Sequence, residues 1–446
     1  MSNNVREVAL DTLLHIEKNQ AYSNLLLNQM IKKEKLSSKD VGLLTEIVYG
    51  TVQRKLALDY YLQPFLKKQK KLELWVMILL RLSLYQMVYL DRIPERAVIH
   101  EAVEIAKKRG HRGISGMVNG VLRSIQREGL PDFNVIKDDL ERLSIEMSLP
   151  LWLLQKWAEQ YGLDVTKEIC KSTLEPPMVS ARVNCNKAAV PEVLSLLEEE
   201  NVVAEKGNLS IDAILISNGN LATTKMFQEG YVTIQDESSM LVARALGPQK
   251  GDKVLDSCAA PGGKTTHIAE LLGNDGKVIS VDLHPHKVKL IEEQVKRLKL
   301  TNVETLVSDS RHLQEHFNSE EFDRILVDAP CSGFGVIRRK PDIKYSKKLD
   351  DIGQLAAIQL SILNSVAPLL KNGGTLVYST CTIDQEENAA VAERFLAENK
   401  EFIVDETLID RMPEQLKPYV QNGQVQILPH YFGTDGFFIA SFRKQV

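Results

Sequence analysis

The stretch Val254-Leu255-Asp256-Ser257-Cys258-Ala259-Ala260-Pro261-Gly262-Gly263-Lys264-Thr265-Thr266 decides how this chain folds. It reads as a short apolar strand, a turn of small residues and the first turn of a helix. Small residues let a backbone approach a ligand closely, and a helix N-terminus favours a negative group. Three kinds of site use such a turn. A phosphate-binding loop needs Gly-x-x-x-x-Gly-Lys-Thr, but Cys258 stands at its first glycine position. A dinucleotide loop needs Gly-x-Gly-x-x-Gly, which this stretch lacks. A nucleoside cofactor without phosphates is the third.

Acidic residues closing the following strands favour that third reading. Asp282 lies 19 positions after Gly263, about where a Rossmann-like sheet sets a carboxylate on ribose hydroxyls. Asp309, ending the next strand, is placed to meet an adenine amino group. Either one alone is more often a helix cap. Together with the loop they describe a site for S-adenosylmethionine, which makes a methyltransferase the expectation over an NTPase.

Working outward, strand-like runs at Lys253–Asp256, Val278–Asp282, Val303–Ser308, Arg324–Asp328 and Gly374–Ser379 alternate with helical ones at Thr265–Leu272, Pro285–Leu298, Leu355–Leu370 and Glu386–Glu398. That alternation predicts an α/β domain with a doubly wound parallel sheet over residues 230–446. Val425–Leu428 and Phe437–Phe442 are expected to add an antiparallel hairpin at one edge. Residues 141–229 read as a small α+β segment, with a strand at Val179–Val183 and a helix at Val190–Glu200. Residues 1–140 read as an all-helical domain, from apolar spacing at Val5, Val8, Ala9, Leu13 and Ile16 and at Val98, Ala102, Ile105 and Ala106. Its helical runs continue through Leu43–Val52, Leu74–Leu90 and Met117–Ile125. Leu74–Leu90 is the most apolar of these, but Arg81 and Gln86 interrupt it, so it reads as a buried helix and not a membrane span.

Charge divides along the same line. Residues 1–130 hold 21 Lys+Arg against 13 Asp+Glu, and the remainder hold 34 against 46. A basic segment on an acidic body points to a polyanion, and a solvated helical surface is the plain alternative. Basic clusters at Lys67–Lys71 and Lys107–Arg112 fall at helix ends. No signal peptide is read at the N-terminus, and five cysteines in 446 residues, none at Cys-x-x-Cys spacing, predict a reducing cytoplasm without a disulfide framework or zinc site. No coiled-coil heptads demand a dimer, so a monomer is expected.

Two of the cysteines stand where a parallel sheet opens onto its ligand crevice. Cys331 is in Asp328-Ala329-Pro330-Cys331-Ser332-Gly333, after the apolar run Ile325–Val327. Cys381 is in Ser379-Thr380-Cys381-Thr382, after Gly374–Val377. Free cysteine is often a small buried hydrophobe, and Cys170, Cys185 and Cys258 are read as packing thiols. Paired at neighbouring strand ends beside a cofactor loop, Cys331 and Cys381 read instead as chemical groups.

The motifs Asp256-Ser257-Cys258-Ala259-Ala260-Pro261-Gly262-Gly263-Lys264, Asp328-Ala329-Pro330-Cys331-Ser332-Gly333 and Ser379-Thr380-Cys381-Thr382 resemble those of the RNA cytosine-C5 methyltransferases. In the front segment, Leu80–Met87, Ile99–Ala106 and Val118–Leu122 resemble the helical RNA-binding factor NusB. The combination resembles the Sun/Fmu-type (RsmB) family acting on small-subunit rRNA. The resemblance implies a Rossmann-like S-adenosylmethionine-dependent fold behind a NusB-like RNA-binding domain. It implies methyl transfer to C5 of cytosine 967 of 16S rRNA. It assigns Cys381 as nucleophile, Cys331 to product release and Asp328 to the N3/N4 edge of the base. It implies that Cys258, Ala259, Ala260, Pro261, Gly262, Gly263, Lys264, Asp282, Asp309 and Asp328 bind the cofactor. In DNA cytosine-C5 enzymes the Pro-Cys thiol is the nucleophile, so this order of roles rests on family likeness. Phe432–Phe438 resembles the family's closing motif, with its small residues expected in a hairpin turn and its phenylalanines in the core.

The chemistry explains why such residues are needed. Cytosine C5 is too weak a nucleophile to take a methyl group directly, whereas a thiolate added at C6 makes the ring an enamine with electron density at C5. The thiol pKa must be lowered by donors or positive charge. Extracting a base costs about a few kcal/mol unless the strand is already open, so a single-stranded or loop cytosine is the expected target. Arg182, Arg338, Arg339 and Lys340 are candidates to hold its backbone. The alternative from another class is a non-catalytic RNA-binding factor with a vestigial methyltransferase fold.

Overall fold

The computed structural model describes residues 4–19, 23–34, 36–67, 72–273 and 275–446. The chain forms two compact units, one of Met1–Glu175 with Ile337–Lys347 and one of Pro176–Val336 with Lys348–Val446.

The first unit is helical. Helix Leu74–Tyr89 is buried on every side from Ile78 to Gln86, so its largely apolar sequence reflects a central position. Its interior arginine is tolerated because Asp59 takes the Arg81 guanidinium with two bonds, at 2.6 and 2.9 Å. Helix Ser38–Gln53 crosses it at Gly50, where a Cβ would lie 1.9 Å from the Tyr85 ring. Glu95–Arg109 and Arg112–Glu128 pack their apolar stripes, including Ile99, Ala102, Val118 and Leu122, into the same core. The excursion Ile337–Lys347 is anchored here: Lys344 is buried and donates to the Gln53 carbonyl at 2.8 Å, and the Tyr345 hydroxyl donates to the Ser148 carbonyl at 2.8 Å. The cluster Lys107–Arg109 is largely paired within the unit, Lys107 to Glu104, Lys108 to Glu7 and Arg109 to Asp11. Of the cluster Lys67–Lys71, only Lys67 is among the described residues.

The second unit holds two sheets. The smaller is antiparallel, with β1 (Val179–Val183), β2 (Val203–Lys206), β3 (Ala213–Asn218) and β4 (Val232–Ile234) in the order β2-β3-β1-β4. The larger comprises β5 (Lys253–Asp256), β6 (Lys277–Asp282), β7 (Val303–Val307), β8 (Phe322–Asp328), β9 (Leu370–Thr380), β10 (Phe402–Val404), β11 (Val420–Gln421), β12 (Gln424–Ile427) and β13 (Phe437–Lys444). Its order is β11-β12-β13-β9-β8-β5-β6-β7, with β10 also on β13. Strands β9-β8-β5-β6-β7 are parallel, and β13 joins β9 antiparallel with β12 paired outside it. The expected doubly wound sheet and late hairpin are both present.

Period-two alternation fills both faces. Leu255, Ile279, Ile325 and Val327 pack with Leu360, Leu363 and Phe395 on one side. Val254, Val278, Leu326 and Val377 pack with Leu241, Ile268 and Leu272 on the other. The strand order reverses between β5 and β8, so a crevice opens at their carboxyl ends, where Asp256, Asp328 and Ser379 lie.

Candidate active site

The cofactor turn leaves β5 and enters helix Gly263–Leu272. Ala259 donates its amide to the Val281 carbonyl at 2.9 Å, which ties the turn to β6. Gly262 sits at φ 101° with its absent Cβ 3.2 Å from the Ile291 backbone, a place only glycine fills without strain. Asp256 is fully buried; one carboxylate oxygen accepts from the Thr265 hydroxyl at 2.6 Å, and the other has no partner among the described residues. Burial, with the Asp328 charge nearby, pushes this carboxyl up to about 7.

Asp282 ends β6 and accepts from the Ala260 amide at 3.3 Å and the His284 amide at 3.2 Å. A carboxylate has about four acceptor sites, so capacity is left for ribose hydroxyls. An orphaned buried carboxylate oxygen, a small-residue turn and a strand-end acid fit a nucleoside cofactor. Asp309 is differently engaged. It caps the short helix Ser310–Glu315 through the Arg311 amide at 3.0 Å and is gripped by the Arg311 guanidinium, which holds its carboxyl down to about 2. The Arg311 guanidinium therefore competes with an adenine amino group for this carboxylate.

Lys264, in the first turn of the helix, points across the crevice. Its ammonium meets Asp328 at 2.7 Å and lies 5.0 Å from the centre of the Phe437 ring. Burial works against its charge, but Asp328, with the Cys381 sulfur and Asp256, outweighs that and raises its pKa. Asp328 also accepts from the Ser379 hydroxyl at 2.8 Å. One carboxylate thus links the cofactor loop, β8 and β9.

Cys331 and Cys381 are brought together, with their sulfurs 3.4 Å apart and both partly exposed. The bond to Cys381 and burial push the Cys331 thiol well above its ordinary range. Gly335 donates to the Cys381 carbonyl at 3.0 Å and accepts from Gly436 at 2.9 Å. A Cβ at Gly335 would lie 1.9 Å from the Gly436 carbonyl. The closing motif therefore does more than make a turn: it stitches the Pro-Cys and Thr-Cys loops, while Phe437 and Phe438 are buried as expected.

Several expectations are corrected. Arg182 does not face a nucleic-acid backbone. It is buried beneath the cofactor helix, bonded to Glu270 at 3.0 Å, the Gly263 carbonyl at 2.9 Å and the Thr266 hydroxyl at 3.1 Å, as well as to Gln235. Arg338 is buried, and both it and Arg339 have partners, leaving Lys340 as the exposed cation of that run. Cys185 is exposed and bonded to Asp212, so it is no packing thiol. Cys170 is buried and Cys258 partly so, and burial pushes each up to about 12. Glu387, unforeseen, is buried against Ser332. Nothing in the acidic stretch Asp384 to Glu387 singles this carboxylate out, and the helix expected over Glu386–Glu398 begins only at Ala389. Among the described residues no three His, Cys, Asp or Glu side chains converge as metal ligands.

Family profiles match in the same order along the chain. One described as NusB family matches residues 3–127, one as the RsmF/B-like ferredoxin-like domain matches 149–221, and one as 16S rRNA methyltransferase RsmB/F matches 243–443. The chain is 58% identical over 441 residues to the probable ribosomal RNA small subunit methyltransferase B of Bacillus subtilis, covering 99% of each. It is 34% identical to the probable methyltransferase B of Synechocystis, over 98% of this chain and 99% of that one. The crystal structure of PH0851 matches at TM-score 0.82 and 28% identity over the whole of both chains. That of NSun6 from Pyrococcus horikoshii with SFG is alike in fold, with TM-score 0.59 and 24% identity over 66% of this chain and 98% of that one.

Proposed function

Because the chain belongs to the RsmB/F family of 16S rRNA methyltransferases and is an S-adenosylmethionine-dependent RNA cytosine-C5 methyltransferase, we propose that it methylates C5 of cytosine 967 of 16S rRNA through a covalent cysteine adduct. The observation that carries this reading is the 3.4 Å approach of Cys331 and Cys381 beside the Lys264–Asp328 pair.

Cys381 is the nucleophile. The Lys264 ammonium, already coupled electrostatically to that sulfur, favours its thiolate. The thiolate adds to C6 of the cytosine, and electron density gathers at C5 while negative charge develops toward N3. Asp328 accepts from the N4 amino group at the N3/N4 edge, and the Lys264 ammonium paired with it is the cation that faces the charge developing at N3. S-adenosylmethionine, when bound, supplies the electrophilic methyl group. Residues 258–264, Asp282, Asp309 and Asp328 are the groups to hold it. Cys331 serves the release step, in which its sulfur, as thiolate, takes the C5 proton, the C–H electrons re-form the C5–C6 double bond and the Cys381 sulfur departs as thiolate.

In this reading residues 1–140 bind rRNA, 141–229 join them to the catalytic segment 230–446, and the protein works as a cytoplasmic monomer on an unpaired cytosine. The test is nucleoside mass spectrometry of a 16S rRNA transcript after incubation with the protein and S-adenosylmethionine. 5-Methylcytidine at position 967 is expected, and a methyl group on N4 or at another cytosine alone would reject the assignment.

A further inference from the structure

Two adjacent side chains beyond the Thr-Cys loop hold the loops that carry the cysteines. Glu387 is fully buried. One of its carboxylate oxygens accepts from the Ser332 amide at 2.8 Å and the Gln359 side-chain amide at 3.0 Å, and the other accepts from the Ser332 hydroxyl. Gln359 also donates to the Pro330 carbonyl at 3.0 Å, so both neighbours of Cys331 are gripped by this pair. The Tyr378 hydroxyl, within β9, has one proton to share between the Glu387 carbonyl at 2.5 Å and the Gln359 side-chain oxygen at 3.1 Å. The clamp is thereby fixed to the sheet.

Asn388 takes the other loop. Its oxygen accepts from the Thr380 hydroxyl at 2.6 Å, and its amide donates to the Thr382 carbonyl at 3.1 Å and to Gln426 at 2.7 Å. Both neighbours of Cys381 are gripped in turn. Besides the two sulfurs, the loops meet through the Ser332 and Thr382 hydroxyls, 2.7 Å apart. Among the described residues no cation is a hydrogen-bond partner of Glu387, and a buried carboxylate without one is costly to keep. Filling space does not require it, whereas holding two donors of one residue in a fixed direction does.

We propose that Glu387 and Asn388 are positioning residues with divided duties: Glu387 orients Cys331 for release, and Asn388 orients Cys381 for addition. This rests on the assignment of those two steps given above. Each acts through the residues flanking a cysteine.

The test is Glu387→Gln and Asn388→Ala in the full-length protein, with a 16S rRNA transcript and S-adenosylmethionine. The readouts are steady-state turnover, the first methyl group transferred per enzyme, and the protein–RNA adduct on a denaturing gel. Glu387→Gln keeps the shape of the side chain but presents a donor to the Ser332 donors. Its turnover is expected to fall roughly 10- to 100-fold while the first methyl transfer persists and adduct accumulates. Asn388→Ala is expected to lower first transfer and turnover together, without accumulation. Loss of both in Glu387→Gln, or unchanged turnover, would overturn the proposal. If that protein does not fold, Ser332→Ala keeps the carboxylate and removes one bond; it should accumulate adduct to a smaller degree, and none would overturn the proposal. Cys331→Ala is run beside them. If it traps no adduct, the reading of the cysteines falls and this proposal with it; if it traps adduct and Glu387→Gln does not, this proposal alone falls.

Discussion

On the β5–β6 side of the crevice, the functional groups come from one continuous stretch, Asp256 to Lys264, closed by Asp282 one strand away. On the β8–β9 side they come from separated stretches around Cys331, Cys381 and Gly436, fastened by Glu387, Asn388, Gln359 and Tyr378. The first side depends on backbone shape, since small residues and Gly262 at positive φ leave room for a ligand. The second depends on side-chain direction, since two sulfurs must meet across neighbouring strands. A backbone site can be written into a short motif. A side-chain site needs outside supports, and here they include a fully buried carboxylate.

That contrast predicts separable failures. Cys381→Ala should lower methyl transfer by at least about 10⁴-fold, the scale of removing a covalent nucleophile. Its S-adenosylmethionine affinity, measured by calorimetry, should stay as in the unmodified protein. Lost affinity would mean that the two sides are not independent. Arg182→Met should act through the support of the cofactor helix, because it leaves Glu270 buried without its charge partner. Breaking such a pair costs about 3–5 kcal/mol, seen as a lower denaturant midpoint. Asp282→Ala should weaken S-adenosylmethionine binding about 10- to 100-fold, as expected for losing bonds to a charged acceptor, with adduct chemistry intact at saturating cofactor. Unchanged affinity would remove Asp282 from the site.

The smallest effect concerns pH. Burial raises the Glu387 and Asp256 carboxyls from 4.5 and 3.8 to about 7. Between those limits the folded protein holds protons that the unfolded chain has released. Their contribution to stability is therefore fully present below about pH 4 and is lost as pH rises through about 7. Stability measured by denaturant unfolding should fall more steeply from about pH 5 to about pH 7.5 in the unmodified protein than in Glu387→Gln, by an amount on the order of 1 kcal/mol. Parallel slopes would show that Glu387 does not titrate in this range.

The same contrast explains what the sequence discloses. The strands β5 to β9 and both cysteine motifs are legible because short apolar runs, the mark of strands buried on both faces, end at chemically distinctive residues. The strand Val179–Val183 is found with its observed limits, while β2 and β3 are not anticipated: β2 is four residues long, half of them charged, and almost wholly exposed, and Ala213–Asn218 is apolar over only part of its length. Arg182 is misread because its charge partner, Glu270, is 88 residues away, and an unpaired arginine at a strand end normally faces water. Glu387 hides in an acidic run because nothing local distinguishes the one carboxylate that turns inward. The excursion Ile337–Lys347 joins the helical unit through Lys344 and Tyr345, partners that no local pattern names.

The central claim, that two thiols divide one chemical cycle, is tested most directly by denaturing electrophoresis of Cys331→Ala after mixing with 16S rRNA and S-adenosylmethionine. The account predicts a slow-migrating protein–RNA adduct that vanishes in the Cys331→Ala, Cys381→Ala double variant. An adduct that persists without Cys381, or the absence of any adduct from a Cys331→Ala protein that still binds the RNA, would contradict it.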